Sequence, residues 1–180
     1  NDSTLIIRNG SVIGGRGAGN SAPYGGGISN YGTATINASK VSGNLATGVP
    51  DGGGGILNAG TLNIDDSLIG GEDAGNSASI GRGGGIFNWA TMTITGSRIL
   101  ANSAAISGGG VYNQSNATSN VTGSCLVGNS ITAFDNIDPI VQTATGNWWG
   151  APDGPSGVGT GAGDSVSSNV NFVPFLTTAP

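Results

Sequence analysis

The stretch Gly83-Gly84-Gly85-Ile86-Phe87-Asn88 decides the fold, because close copies of it recur along the chain. Each copy has three glycines, an aliphatic residue, one variable residue and an asparagine. The other copies are Gly25–Asn30, Gly53–Asn58 and Gly108–Asn113. Their aliphatic residues follow one another at intervals of 28, 30 and 25 residues. Self-similarity at such a spacing indicates a repeat architecture, in which each repeat is one structural unit stacked on the next.

Two further blocks complete each repeat. The first is a Thr-x-x-aliphatic block, with copies at Thr4–Ile7, Thr33–Ile36, Thr61–Ile64, Thr91–Ile94 and Thr118–Val121. The second is a Ser-x-aliphatic block that runs on to an asparagine, with copies at Ser11–Asn20, Ser39–Asn44, Ser67–Asn76, Ser97–Asn102 and Ser124–Asn129. Three short segments with alternating apolar residues, separated by turn residues, make one coil of a parallel β-helix. The chain is therefore predicted to be all-β, a right-handed, single-stranded parallel β-helix (β-solenoid) of about five or six coils.

The repeat also predicts which side chains face inward. Aliphatic residues at equivalent positions of successive coils should stack into three buried columns. These are Ile28, Ile56, Ile86 and Val111; Ile7, Ile36, Ile64, Ile94 and Val121; and Ile13, Val41, Ile69, Ile99 and Leu126. Glycines are expected where the backbone turns with positive φ or approaches a neighbour closely. Asparagines are expected at turns, where their amides bind backbone groups of adjacent coils.

The coils differ mainly in one loop before the asparagine of the serine block. The first and third coils carry additional residues there, Arg16–Gly19 and Glu72–Gly75. Insertions in solenoids map to one face, which is often the binding face. Arg16 and Glu72 are therefore predicted to approach each other across the intervening coil.

The pattern changes after Asn129. A turn-rich segment contains Asn147-Trp148-Trp149-Gly150, and the chain later reaches Phe172 and Phe175. A solenoid needs a cap over its last coil, and these aromatic residues are predicted to form it. Trp148 and Trp149 could alternatively stack on sugar rings. The predicted organisation is β-helix coils over residues 1–143, with a terminal coil and cap of the same domain over residues 144–180.

Composition narrows the functional classes. A net charge of −5 with only five lysines and arginines leaves no basic stripe for nucleic acid. No apolar run has the length of a membrane span, so no membrane insertion is predicted. Asn1–Thr4 lacks the basic and apolar regions of a signal peptide. One cysteine allows no internal disulfide, so repetition must supply the stability. We expect an exported protein, in its mature form or as a fragment, that is extracellular or at the cell surface.

The residue types also limit the possible chemistry. The sequence has no histidine, which excludes Ser-His-Asp triads and histidine metal sites. No cofactor is predicted, and Ca²⁺ is the ion that paired carboxylates could hold. The candidate pairs, with the lysine and arginine that a polysaccharide lyase could use as bases, are Asp65-Asp66, Glu72-Asp73, Asp135 with Asp138, Lys40 and Arg98. No catalytic residue is assigned, and an enzyme acting on polysaccharide remains an alternative.

These motifs carry a family resemblance. The alternation of Gly-Gly-Gly-Ile/Val with Ile-x-Gly-Asn-x-Ala resembles the paired GGA(I/L/V) and FxxN repeats of the polymorphic outer-membrane proteins, with Ile, Val or Leu in place of Phe. It is also similar to the broader set of secreted right-handed β-helix proteins, many of which end in a coil like Asn147–Gly150 with Pro-Asp-Gly-Pro. The resemblance covers roughly residues 4–176. It implies an adhesin, or a structural subunit of a surface fibre or sheath, with glycans or a host or cell surface as partner.

An outward array of threonines suggests a third functional class. Its candidate residues are Thr33, Thr35, Thr61, Thr91 and Thr93. A flat Thr-x-Thr surface can order water, which would make the protein an ice binder. Threonine is also a favourable strand residue in its own right, so the array has a purely structural explanation as well.

The ends of the solenoid suggest self-association. The sequence begins with a threonine block, Thr4–Ile7, and no glycine cluster precedes it. An open solenoid end exposes apolar side chains and unpaired strand edges, and a head-to-tail contact would cover both. End-to-end assembly is therefore predicted. Its candidate surface comprises Leu5, Ile7, Ile13, Trp148, Trp149, Phe172 and Phe175.

Overall fold

The computed structural model describes residues 1–180 and contains only β-strands, turns and irregular segments. All strand pairs are parallel, and each strand pairs with the equivalent strands of neighbouring coils. The fold is a parallel β-solenoid of about six turns, as the sequence predicts. No helix in the chain has the length and apolar character needed to cross a membrane.

Four sheets form the sides of the solenoid. Sheet 1 comprises Thr4–Ile7, Thr33–Asn37, Thr61–Asp65, Thr91–Thr95, Thr118–Thr122, Gln142–Thr143 and Val170–Asn171. Sheet 2 comprises Val12–Gly14, Lys40–Ser42, Leu68–Gly70, Arg98–Leu100 and Cys125–Val127. Sheet 3 comprises Ser21–Ala22, Leu45–Ala46, Ser77–Ala78 and Ser103–Ala104. Sheet 4 comprises Ile28–Asn30, Ile56–Asn58, Ile86–Asn88, Val111–Asn113, Phe134–Asn136, Pro155–Gly157 and Gly163–Val166.

Sheet 3 corrects one expectation from the sequence, because the middle coils have four strands rather than three. Its strands are only two residues long, with the sequence Ser-Ala or Leu-Ala. Two residues are too few to show the period of two that reveals a strand. Ala46 and Ala78 are fully buried there, and their small side chains let the backbone turn close to the core.

The three aliphatic columns form the core in the predicted register. Ile36 pairs with Ile64, Ile56 with Ile86, and Ile69 with Ile99. The members of all three columns in the central coils are at most 1% exposed. Leu62 and Met92, also buried, add a further inward position from sheet 1. Residues on one strand alternate between core and solvent, so this register fixes which side chains the outside of each sheet presents.

Side-chain ladders run parallel to the solenoid axis and bind the turns together. In one ladder, the Asn44 side chain donates to Asn76 Oδ1 at 3.0 Å, and the Asn76 side chain donates to Asn102 Oδ1 at 3.0 Å. A second asparagine ladder joins Asn30, Asn58, Asn88, Asn113 and Asn136. A serine ladder joins the backbone N–H of Ser39, Ser67 and Ser97 to the hydroxyl of the next coil's serine. Buried polar groups at the corners thereby find partners in the coil above or below.

The motif Asn147–Gly150 continues these patterns into the last full coil. Asn147 Oδ1 accepts the N–H of Ser124 at 2.8 Å, which places Asn147 next in the serine ladder. Trp148 pairs with Cys125, on the outward side of sheet 2. Trp149, one residue further, is fully buried and belongs to the main core cluster. Phe172 and Phe175 are partly buried and pack against that cluster.

A smaller apolar cluster lies outside sheet 4, and the sequence reasoning missed it. Leu57, Phe87 and Tyr112 occupy the variable position of the glycine block and are nearly completely buried. The guanidinium of Arg82 lies over the Tyr112 ring, with its Cζ 5.4 Å from the ring centroid. The signal was present in the sequence, because this variable position is apolar in three consecutive coils.

Asp164 ends the ladder that begins at Asn20 and Asn44. Its Oδ2 accepts the backbone N–H of Asn129 at 2.7 Å, the bond that an asparagine Oδ1 accepts in earlier coils. Burial raises the pKa of Asp164 above its ordinary value, although hydrogen bonds from the Asn129 and Gly128 backbone and the Asn129 side chain lower it in part. A raised pKa in the folded state means that the folded chain binds more protons than the unfolded chain between the two pKa values. Stability therefore falls as the pH rises from the ordinary aspartate range through the raised pKa.

Asp164→Asn should abolish this loss of stability. The asparagine keeps the acceptor for Asn129, carries no charge to desolvate and supplies the amide donor that the other ladder members have. Chemical denaturation across the acid-to-neutral range should give similar variant and wild-type stabilities at low pH and a more stable variant at neutral pH. Asp2→Asn, at an exposed position, is the control. A difference between Asp164→Asn and wild type that does not change with pH would contradict the prediction.

Candidate ligand groove on sheet 2

The outward face of sheet 2 presents apolar and basic side chains in alternation. One residue from each coil points outward in the same register, and all of these residues except the first form the floor of a groove that we call the sheet 2 groove. In order, they are Val12, Lys40, Leu68, Arg98, Cys125 and Trp148. The floor runs from Lys40 to Trp148 over five coils in parallel register, so it is roughly 19 Å long, from four strand spacings of about 4.8 Å.

The corner between sheet 1 and sheet 2 makes one wall of the groove. Each coil turns this corner through a residue with positive φ, including Ala38 at 45°, Asp66 at 46° and Gly96 at 53°. The residue at this turn differs between coils, with alanine, aspartate and glycine in successive coils. In the third coil the corner carries the exposed carboxylate of Asp66, which lines the groove together with Lys40 and Arg98.

The insertion Glu72–Gly75 makes the opposite wall. The strand before it ends at Gly70, and Gly71 follows; their φ values of 96° and 139° suit glycine, and the loop continues over the sheet. Lys40 Nζ lies against this wall, 3.6 Å from the position that a Cβ on Gly71 would occupy. Glu72 and Asp73 are exposed at the rim and line the groove with Lys40 and Arg98.

Three adjoining depressions make the groove continuous. The first and second share Lys40, Leu68 and Arg98, and the second and third share Glu72, Arg98 and Leu100. The third is bounded by Trp148 and by Ala179 and Pro180. Two of the chain's five basic residues therefore lie on the floor, with three carboxylates, those of Asp66, Glu72 and Asp73, along the walls.

Comparison with protein-family models, curated proteins and solved structures found no match.

Cys125, on the same floor, is suited to packing rather than to nucleophilic chemistry. It is 7% exposed, and burial raises the pKa of its thiol, with Arg98 lowering it in part. The thiolate is the reactive form of cysteine, so a raised pKa keeps this side chain protonated at neutral pH.

The other carboxylate candidates do not come together. Asp65 faces outward on sheet 1, where it accepts hydrogen bonds from Asn37 and Thr95 at 3.0 and 2.8 Å. Asp138 is buried and accepts the backbone N–H groups of Ile140 and Asn116. Asp135 accepts a hydrogen bond from the Ser107 hydroxyl. These three carboxylates hold turns and neighbouring coils in place.

The two insertions lie at the same corner, but the predicted approach of Arg16 to Glu72 is not formed. The turn of the second coil separates the loops, since Gly43 donates its N–H to Ala74 O at 2.8 Å and packs closely against Gly15 on its other side. Glu72 instead lines the sheet 2 groove, which Arg16 does not line. Gly14 and Gly15, at φ 90° and 131°, repeat the backbone conformation of Gly70 and Gly71, so both insertions leave sheet 2 in the same way.

The threonine array lies on the outward face of sheet 1. Thr33, Thr61 and Thr91 form one column, and Thr35 and Thr93 belong to a second column in which Asn63 lies between them. The Oγ1 atoms of Thr91 and Thr118 are 3.3 Å apart. The array is thus a regular polar surface with one asparagine at its centre.

The residues predicted for end-to-end assembly are divided among different environments. Leu5, Ile7 and Ile13 line an apolar depression at the N-terminal coil, together with Ile28. Trp149 is fully buried, so it is a core residue and cannot contribute to a contact surface. It takes the inward position of its coil, beneath Leu126, whereas Trp148 takes the outward one. End-to-end association itself stays a prediction, and light scattering at increasing protein concentration tests it.

Proposed function

We propose that this chain is a non-catalytic, extracellular or cell-surface β-solenoid of the adhesin type, and that it binds extended polysaccharide in the sheet 2 groove. The observation that supports this proposal is the register that sets five outward side chains, from Lys40 to Trp148, in one line along the groove. In the third coil this line runs between Asp66 on one side and Glu72 and Asp73 on the other. A linear polymer laid along the axis would meet equivalent positions at every coil. The resemblance to polymorphic outer-membrane protein repeats agrees with a role at the cell surface.

The groove chemistry suits a glycan. Sugars present hydroxyl groups at their edges and apolar C–H groups on their ring faces. Lys40 and Arg98 supply hydrogen-bond donors, and the wall carboxylates supply acceptors. Leu68, Leu100 and the half-buried Trp148 supply apolar contacts, for which an aromatic ring at a partly exposed position is well suited.

Several observations favour binding over catalysis. Asp65, Asp135 and Asp138 are engaged in structural hydrogen bonds, and the Cys125 thiol stays protonated. Glycoside hydrolysis needs two carboxyl groups on opposite sides of the scissile bond. The groove has carboxylates on both walls, Asp66 on one and Glu72 and Asp73 on the other, so an assay for new reducing ends decides between binding and hydrolysis. Asp164, whose pKa is raised by burial, binds Asn129 within a structural ladder.

Retention on immobilised polysaccharides tests the proposal. A panel of neutral and acidic polysaccharides should include at least one that retains the wild-type chain, and Trp148→Ala and Arg98→Gln should each weaken that binding about tenfold or more, which corresponds to about 1.4 kcal/mol. Tyr31→Ala and Arg8→Gln are matched controls, since both residues are exposed and line no part of the groove. Failure of every polysaccharide to retain the protein, or equal retention of groove variants and controls, would refute the proposal. New reducing ends in the polysaccharide would identify an enzyme instead.

Ice binding is the second candidate, favoured by the in-register threonine columns of sheet 1. Thermal hysteresis of the purified chain, with Thr61→Lys to disrupt the centre of the array, distinguishes it from glycan binding. Activity that the sheet 1 variant loses and the groove variants keep would assign the function to sheet 1.

A further inference from the structure

We infer that the ligand of the sheet 2 groove is a neutral, linear glycan in which alternate sugars are turned over, as in β-1,4-linked chains. This inference rests on the proposed function and specifies its ligand. It follows from the charge balance of the groove and from the order of side chains along its floor.

The charge balance disfavours an acidic polymer. The floor contributes two positive charges, from Lys40 and Arg98, and the walls contribute three negative ones, from Asp66, Glu72 and Asp73. The whole chain carries a net charge of −5. A polyuronate or a sulfated glycan would therefore gain little from the two cations and would meet the carboxylates at close range. Like charges brought together at an interface oppose binding and select against that partner.

The pairing of donors with acceptors favours hydroxyl groups instead. Lysine and arginine only donate hydrogen bonds, and ionised carboxylates only accept them. A sugar hydroxyl does both, so one hydroxyl can accept from Lys40 or Arg98 and donate to Asp66, Glu72 or Asp73. A ligand carboxylate or sulfate can use the cations but leaves the wall carboxylates without a partner.

The order of side chains along the floor indicates the repeat length of the ligand. From Lys40 to Arg98 the floor presents a basic, an apolar and a basic residue, so a basic side chain returns after two coils. Two coils correspond to about 9.6 Å. A chain of alternately turned sugars presents the same edge at every second sugar, and its hydroxyl edges can meet Lys40 and Arg98 while C–H groups meet Leu68. A coiled α-linked chain does not keep its edges in one line.

Calorimetric titration of the 180-residue chain with three hexasaccharides tests the inference. Cellohexaose should bind, with an affinity that changes little as the salt concentration rises, because uncharged ligands release no counterions. Hexagalacturonate should bind at least about tenfold more weakly, and so should maltohexaose, which is neutral but coiled. Tighter binding of hexagalacturonate would overturn the inferred neutrality, and equal binding of maltohexaose would overturn the inferred repeat. Either result leaves glycan binding in the groove intact, whereas retention by no polysaccharide in the wider panel refutes the proposed function itself.

A charge variant provides a second measurement. Glu72→Gln combined with Asp73→Asn should weaken cellohexaose binding and should permit hexagalacturonate to bind at low salt, because the groove then carries a net positive charge. Both positions are exposed, so the fold should tolerate the change. Asp2→Asn, outside the groove, should leave both affinities unchanged. If the double variant continues to reject hexagalacturonate, the wall carboxylates do not determine specificity, and the inference is overturned.

Discussion

Asn76→Ala should lower the free energy of unfolding by about 3 kcal/mol or more, with the fold intact but the melting temperature strongly reduced. Asn76 is fully buried in the middle of a ladder. Its Oδ1 accepts the Asn44 backbone N–H at 3.1 Å and side-chain amide at 3.0 Å, and its own amide donates to Val41 O at 2.9 Å. Alanine removes all three hydrogen bonds. The Asn44 amide keeps its bond to Ile13 O, so the loss falls mainly on the Asn44 N–H and on Val41 O, at about 1–3 kcal/mol for each buried group that is left unsatisfied.

A second asparagine-to-alanine substitution, at an exposed position, distinguishes the loss of the buried ladder from the loss of any asparagine side chain. Asn63 lies in the same coil but faces solvent on sheet 1, so Asn63→Ala should change stability by no more than about 0.5 kcal/mol. Urea denaturation followed by circular dichroism measures both variants. Equal stability of Asn76→Ala and Asn63→Ala would mean that solvent reaches the ladder and satisfies its groups.

Trp149→Ala should destabilise the chain by about 3–5 kcal/mol, the range for removing a large aromatic side chain from a core. Trp149 is fully buried in the main cluster, at the position that an isoleucine, valine or leucine takes in the other coils. The vacated volume lies at the C-terminal end of the column. Because Phe172 and Phe175 are already packed against the cluster, they cannot fill this space without leaving their own contacts.

The neighbouring residue supplies the control for this prediction. Trp148 is half-buried on the sheet 2 groove, so Trp148→Ala should lower stability much less than Trp149→Ala while weakening polysaccharide binding about tenfold or more. Thermal unfolding and polysaccharide retention together distinguish the two roles. Similar destabilisation by both substitutions would place both rings in the core and remove Trp148 from the binding surface.

The sequence predicts the coil architecture and its register because each repeat constrains the next. Ile64 must face inward if Ile36 and Ile94 do, since a shift of one residue would expose a whole column. The asparagines at the corners were likewise predictable, because a buried turn needs polar partners that side chains of adjacent coils can supply. A pattern of inward and outward residues that is too short to identify a strand in one repeat can therefore be identified when it recurs in successive repeats.

The groove was harder to predict from the sequence, because the residues that line it come from several repeats. The sequence identified Lys40, Arg98, Asp66, Glu72 and Asp73 as separate candidates, but not that they line one groove. Their proximity depends on the direction of the third-coil loop, which is set by the backbone at Gly70 and Gly71. Trp148 faces outward and Trp149 faces inward because successive residues of a strand point to opposite faces. The sequence shows which is which only when Asn147 is aligned with the serines of the serine ladder.

The uniform ladders have an evolutionary consequence. Each coil presents to the next the same donors and acceptors that it receives from the previous one, as Asn44, Asn76 and Asn102 do. A gene duplication or deletion spanning one whole coil would therefore leave no unmatched junction, and the altered chain should fold. Each such event would lengthen or shorten the floor of the groove by one position. Recombination within the gene could in this way adjust the number of sugars held without redesigning any contact.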